Sequence, residues 1–178
     1  MRTRRIALPL VLFLVLSLAA CGGSESSPDD ASSQSTATTQ SESAEEVDRT
    51  VTLHPKGNQM KYKETEFTVA PGETIRLVFE NTATSPSMQH NVVVLNSTED
   101  GVFQKVGQVG MEAGAANEYV PDDMNAILAY TPMSKPGETV EVTFTVPEEV
   151  GEYGYVCTFP GHWATMQGTM YVKENPAT

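Results

Sequence analysis

The sequence predicts an all-β domain: an antiparallel sandwich or barrel of seven to eight short strands, with a short helix and loops inserted. Three observations carry this. From residue 49 onward, short runs rich in Val, Ile, Thr, Phe and Tyr alternate with turn residues. In one run, 139–146, Val140, Val142, Phe144 and Val146 alternate with Thr139, Glu141, Thr143 and Thr145, the period-two pattern of a half-buried strand. The folded part, about 130 residues, can enclose one core and is too short for two.

The elements follow in order. Residues 51–53 open the sheet. Runs 66–69 and 74–80 flank Pro71-Gly72, which reads as the turn between two strands. Residues 90–95 and 126–130 are the next strands, and Pro136-Gly137 turns the chain into 139–146. Runs 151–157 and 168–173 close the domain. Residues 104–121 are rich in Gly and Ala and poor in β-branched residues, so a short helix and loops are expected there, laid against the sandwich.

The first 48 residues have a different character. Residues 1–20 read as a secretory signal, with Arg2, Arg4 and Arg5 ahead of an apolar run over 6–18 that is too short for a confident membrane span. Leu18-Ala19-Ala20-Cys21 resembles a bacterial lipobox, which makes Cys21 the expected lipidation site and the mature N-terminus. Residues 22–48 are dominated by Ser, Thr, Ala, Gln and acids, with no aromatic residue and only Val47 as a large aliphatic. They cannot bury enough apolar surface to offset the entropy of ordering, and read as a flexible tether spanning about 30 Å. The domain proper is expected over 49–178, exported and held to the cell membrane on its periplasmic or extracellular side.

The formal net charge is −12, and −15 once Arg2, Arg4 and Arg5 are removed. That argues against nucleic acid, which requires a basic face, and suits a soluble body whose acidity fits either a basic docking partner or a saline habitat; a monomer is expected. With Cys21 lipidated, Cys157 is left without a disulfide partner. A lone thiol in an oxidising compartment needs burial or a metal.

His162 lies five residues after Cys157, in Cys157-Thr158-Phe159-Pro160-Gly161-His162, and Met166 four residues further on. His90 stands far upstream, at the start of a predicted strand. Two imidazoles, a thiolate and a thioether are the donor set of a blue-copper electron-transfer site; soft sulfur suits Cu(I) and imidazole tolerates both oxidation states. Cys157 ends one predicted strand and Met166 nearly begins the next, so one loop delivers three donors while a second strand supplies His90. His54, beside Pro55 and without a donor at ligand spacing, is expected to be an ordinary surface histidine.

The stretch from Cys157 to Gly168 resembles the copper loop of azurins and the related auracyanins, and Met88-Gln89-His90-Asn91 resembles their segment around the first histidine. Gly57-Asn58-Gln59-Met60, Gly110-Met111 and Pro121-Asp122-Asp123 extend the likeness over about residues 50–174. The resemblance implies a cupredoxin-type Greek-key sandwich with one copper ion. His90, Cys157 and His162 would be equatorial ligands and Met166 a weak axial one. It further implies that Asn91 ties the two ligand loops together and that the Phe159 amide points toward the sulfur. Met88, Phe159, Pro160 and His162 would form an apolar rim where redox partners dock. Two departures stand out: Gln89 occupies the place of a glycine whose carbonyl approaches the metal, leaving that weak fifth contact open, and azurin's disulfide has no counterpart.

The function expected is one-electron transfer between membrane-bound respiratory or photosynthetic complexes. A copper-storing or copper-delivering protein is the second class, but such carriers use open Met- or Cys-rich sites. An enzyme such as a copper reductase is the third, and needs a second, open metal centre for which only His54 remains.

Overall fold

The computed structural model describes residues 46–122, 125–174 and 176. The readings placed on residues 1–45, including Cys21, lie outside them. Eight strands form two sheets: β1 (Arg49–Leu53), β2 (Glu66–Val69), β3 (Thr74–Glu80), β4 (Val93–Leu95), β5 (Ile127–Tyr130), β6 (Thr139–Thr145), β7 (Gly151–Val156) and β8 (Gln167–Val172). One sheet has the order β1-β3-β6 and the other β2-β8-β7-β4-β5. The sandwich expected from sequence is thus observed, with one correction. β1 runs parallel to β3 and β2 parallel to β8, so both sheets are mixed rather than antiparallel. Just ahead of β1, Asp48 is tied to the start of β3: its N–H donates to the Thr74 carbonyl and its carboxylate accepts from the Thr74 N–H, at 2.9 and 2.8 Å.

Between the sheets lies an apolar core in which Leu53, Ile75, Leu77, Phe79, Val94 and Tyr155 are fully buried. The alternation read in β6 holds in register: Val142 pairs with Leu77 and Phe144 with Ile75 of the core-facing β3. A second apolar layer lies on the outer face of the larger sheet, where Phe103 and Val106 of a helix pack with Val93, Leu95 and Val156.

That helix, α1 (Asp100–Ala113), begins four residues before the expected insertion. Glycines at 101, 107 and 110 mask it, because glycine is a poor helix former. Tertiary packing decides instead: Phe103, Val106, Gly107 and Gly110 are buried along one stripe at helical spacing. Gly107 sits beneath the Trp163 indole, and Gly110 approaches the Tyr119 carbonyl and the Thr158 side chain, so the helix backbone presses directly on the loop that follows β7.

β4 is also shorter than expected, starting at Val93 rather than residue 90. His90 forms only a single bridge with Ser134, exchanging N–H···O bonds of 3.0 and 2.7 Å. The Val92 N–H then donates to the Thr131 hydroxyl at 3.0 Å, in place of a backbone carbonyl. A side-chain acceptor thus interrupts the ladder, and the chain from His90 to Val92 leaves strand geometry where His90 turns into the interior.

Gly107→Ala should lower stability by about 1–3 kcal/mol through overpacking against Trp163, despite a helix-propensity gain of about 1 kcal/mol. Denaturant unfolding of the two proteins measures the difference; a neutral or stabilising substitution would contradict the packing described.

Candidate metal centre

Cys157 follows the last residue of β7, and its N–H donates to the Met166 carbonyl at 3.0 Å, closing the loop at its base. Within the loop, the His162 N–H donates to the Phe159 carbonyl, and the Thr165 and Met166 N–H groups donate to the His162 carbonyl, at 2.9–3.0 Å. The reversal at Pro160-Gly161 needs φ +84° at Gly161, a conformation that favours glycine. Such a self-bonded loop is stiff, and it delivers Cys157, His162 and Met166 to one end of the sandwich.

The segment bearing His90 is held separately. Buried Asn81 donates from Nδ2 to the carbonyls of Met88 and Ser134 at 2.9 and 3.0 Å, fixing both sides of the His90 bridge. Asn91 joins the two segments: its Oδ1 accepts from the Thr158 N–H at 2.9 Å, and its Nδ2 donates to the Thr158 hydroxyl at 2.9 Å and to the Glu118 carbonyl at 3.2 Å. The buried Tyr62 hydroxyl donates to the Asn91 carbonyl at 2.7 Å.

These supports bring three donors together. The Nδ1 atoms of His90 and His162 are 3.1 Å apart, and the Cys157 sulfur lies 3.8 and 3.7 Å from them. All three side chains are buried. A point equidistant from the three donors lies about 2.1 Å from each, the length of a bond from a first-row metal to imidazole or thiolate. Met166 is fully buried in the same core cluster as Cys157. The residues therefore fit a single copper ion, with two neutral imidazoles, one thiolate and a thioether.

Electrostatics agree with that fit. Burial pushes the Cys157 thiol up to about 12, although the backbone N–H groups of Asn91 and Phe159 favour its thiolate. Only a cation in the triangle can make the thiolate the stable form at neutral pH. Burial, followed by the neighbouring His162, lowers His90 to about 4, and burial also lowers His162. Both rings stay uncharged, with lone pairs available to a metal. His90 is positioned mainly by packing, with the Phe79 ring edge-on at 6.1 Å and no protein partner for its Nε2.

The model that describes copper-binding proteins of the plastocyanin/azurin family matches residues 49–173. The chain belongs to that family. Among its cupredoxin relatives, auracyanin-A of Chloroflexus aurantiacus is 38% identical over 124 residues, covering 70% of this chain and 74% of the relative. An azurin of Alcaligenes faecalis is 37% identical over 99 residues, 54% of this chain and 75% of the relative. The solved structure of auracyanin A, a "blue" copper protein, matches with a TM-score of 0.65 and 37% identity, covering 70% of this chain and 98% of that one. Dithionite-reduced auracyanin from Roseiflexus castenholzii matches with a TM-score of 0.65 and 36% identity, covering 72% and 99%. Cupredoxins of this family are electron carriers rather than enzymes, and copper is the cofactor that His90, Cys157, His162 and Met166 are placed to hold.

His54 departs from expectation. Its Nδ1 is 3.2 Å from both Glu64 oxygens and its Nε2 is 3.3 Å from Glu80 Oε2, with only 25% of the side chain exposed. It is a clamp between the chain after β1 and the end of β3, not a free surface group. The sequence reading also missed Asn81, Tyr62, Thr131 and Ser134. Asn81 follows a strand and reads locally as a turn residue, and the partners of the others are 29 to 44 positions distant, beyond any short motif.

The copper-free protein should lose stability as pH falls from about 6.5 through about 4, because the unfolded chain takes up a proton that buried His90 refuses. Chemical denaturation across that window, compared with a His90→Leu variant, isolates the contribution. Parallel pH profiles for the two proteins would contradict it.

Proposed function

We propose that this cupredoxin is a monomeric, membrane-tethered electron carrier outside the cytoplasm, shuttling single electrons between membrane-bound respiratory or photosynthetic redox complexes. The observation that carries the electron-transfer reading is the buried triangle of His90 Nδ1, His162 Nδ1 and Cys157 Sγ, with sides of 3.1 to 3.8 Å. Copper bound there supplies the Cu(I)/Cu(II) couple, to which this mixed soft and imidazole donor set is suited in both states. The chain's own contribution is rigidity. Asn91 and Asn81 fix the His90 segment, the self-bonded loop fixes Cys157 and His162, and little rearrangement is needed when an electron moves.

The residue that would supply a weak fifth contact to copper, through its backbone carbonyl, is Gln89, immediately before His90. Asn91 and the Phe159 amide orient and tune the sulfur. The electron leaves through His162, whose ring lies 4.9 Å from that of Phe159. Half-buried Met88 and Phe159 and exposed Pro160 form the rim on which partners rest. A small apolar rim suits weak, quickly dissociating encounters. The signal at 1–20, lipidation at Cys21 and the tether at 22–48 confine the domain to a layer near the membrane, where its effective concentration at membrane complexes rises.

Visible and EPR spectra of the copper-loaded protein test this reading. An intense blue thiolate-to-copper band is expected, bleaching with dithionite and returning with ferricyanide through repeated cycles, and absent from Cys157→Ser. A band that survives in that variant, or copper that leaves on reduction, would refute it.

A further inference from the structure

Residues 54–63, His-Pro-Lys-Gly-Asn-Gln-Met-Lys-Tyr-Lys, carry three lysines and no carboxylate in a chain whose net charge is −12. They form a tight hairpin. Pro55 bridges Tyr62, the Lys56 N–H donates to the Lys61 carbonyl at 2.8 Å, and the Lys63 N–H donates to the His54 carbonyl at 2.9 Å. The hairpin is fastened to both copper-ligand segments. Asn58 Oδ1 accepts from the N–H groups of Thr84 and Ser85 at 2.9 and 3.0 Å, on the stretch leading to His90. The Met60 carbonyl accepts from the Thr165 hydroxyl at 2.9 Å, on the loop that carries His162. The Tyr62 hydroxyl anchors it to Asn91, and the His54 clamp holds its base.

The lysines thus sit on a rigid support beside the electron port. Lys56, Lys61 and Lys63 are exposed, as is Met60 between them. Two carboxylates border the hairpin at its base: Glu64, 3.5 Å from Lys63, and Glu80, 3.3 Å from His54; Lys63 nevertheless keeps 67% of its side chain in solvent. Lys56 and Lys61 form no salt bridge among the described residues. The ligand segments themselves, 84–91 and 157–166, contain no Asp, Glu, Lys or Arg. On the other flank, the Glu118 carboxylate accepts the Met133 N–H and that of Glu138 accepts the Lys135 N–H. Glu148, Glu149 and Glu152 stand around the turn into β7, at the opposite end of that strand from Cys157.

We propose that the 54–63 hairpin is a basic docking element, which orients the carrier so that an acidic patch on its redox partner meets the face around His162. The net charge would repel such a partner, but the local field decides orientation at short range, because exposed charges beyond about 8–10 Å are screened at physiological salt. Positive charge beside an uncharged, partly apolar port steers encounter without adding a buried ion pair that would slow release. This rests on the electron-carrier reading, and the test separates the two.

The first probe is hexacyanochromate(III), a redox-inert paramagnetic trianion, added to the protein at about 0.15 M ionic strength, where distant charges are screened, and followed by amide NMR. Broadening should concentrate on residues 54–63 and on the adjoining 84–85 and 165, and should vanish in K56Q/K61Q/K63Q, whose remaining spectrum is unchanged. This readout does not depend on copper. The second is the rate of electron exchange between the copper-loaded protein and hexacyanoferrate. For the native protein it should fall about three- to tenfold as salt is raised above about 0.15 M, and in the triple variant it should rise instead, as net repulsion predicts. Absence of exchange with any reagent would sink the carrier reading alone. Broadening spread over other basic residues, or a native rate that rises with salt, would overturn the docking element. Tighter binding to phosphatidylglycerol than to phosphatidylcholine vesicles, lost in the triple variant, would assign the lysines to lipid and equally overturn it.

Discussion

Crowding of three lone-pair donors in a space that excludes water is the constraint around which this domain is organised. Two imidazole nitrogens lie 3.1 Å apart with a sulfur less than 4 Å from both, so three lone pairs converge on one buried point. Burial makes the arrangement worse without an ion, since it disfavours both the thiolate and the imidazolium. The fold holds this unfavourable grouping in place by spending hydrogen bonds on the backbone around it. Asn81 and Asn91 saturate carbonyls and amides on either side of His90, and the loop from Cys157 to Met166 bonds largely to itself. The sandwich core then prevents the two segments from drifting apart.

From that constraint the other features follow. Helix α1 adds little intrinsic helical stability, with three glycines among its fourteen residues, yet two of them let its backbone lie against Trp163 and Thr158. It acts as a backstop behind the copper loop. The hairpin at 54–63 fills the corresponding place on the other side, reaching both ligand segments through Asn58, Met60 and Tyr62. The donors are therefore enclosed by two structures that differ in outward character. The helix side exposes Lys105 together with Asp100, Glu112 and Met111, while the hairpin presents three lysines to a partner in an otherwise acidic molecule.

Much of the site was legible in the sequence because it is local. Cys157, His162 and Met166 share ten residues, and Pro160-Gly161 between them announces the turn that folds them together. His90 was legible only as the second imidazole that completes the donor set and through resemblance, because no spacing rule links it to a cysteine 67 positions away. Strand positions were readable where one face is buried, as in β6. The parallel pairing of β1 with β3 and of β2 with β8 was not, since periodicity says which face of a strand is buried but not which neighbour it takes. The start of α1 was hidden by glycines whose value is tertiary. His54 illustrates the same limit: its role depends on Glu64 and Glu80, and the second of these is reached only through the β1–β3 pairing.

The account stands or falls on whether the donor triangle is set by the protein in advance of the electron and of the metal. Crystal structures of one crystal form in the copper-free, Cu(I) and Cu(II) states measure this directly. The distances among His90 Nδ1, His162 Nδ1 and Cys157 Sγ should agree across all three states to within about 0.5 Å. A copper-free protein in which the 157–166 loop opens and the donors separate, or a reduced state in which His162 swings away from the ion, would contradict the account.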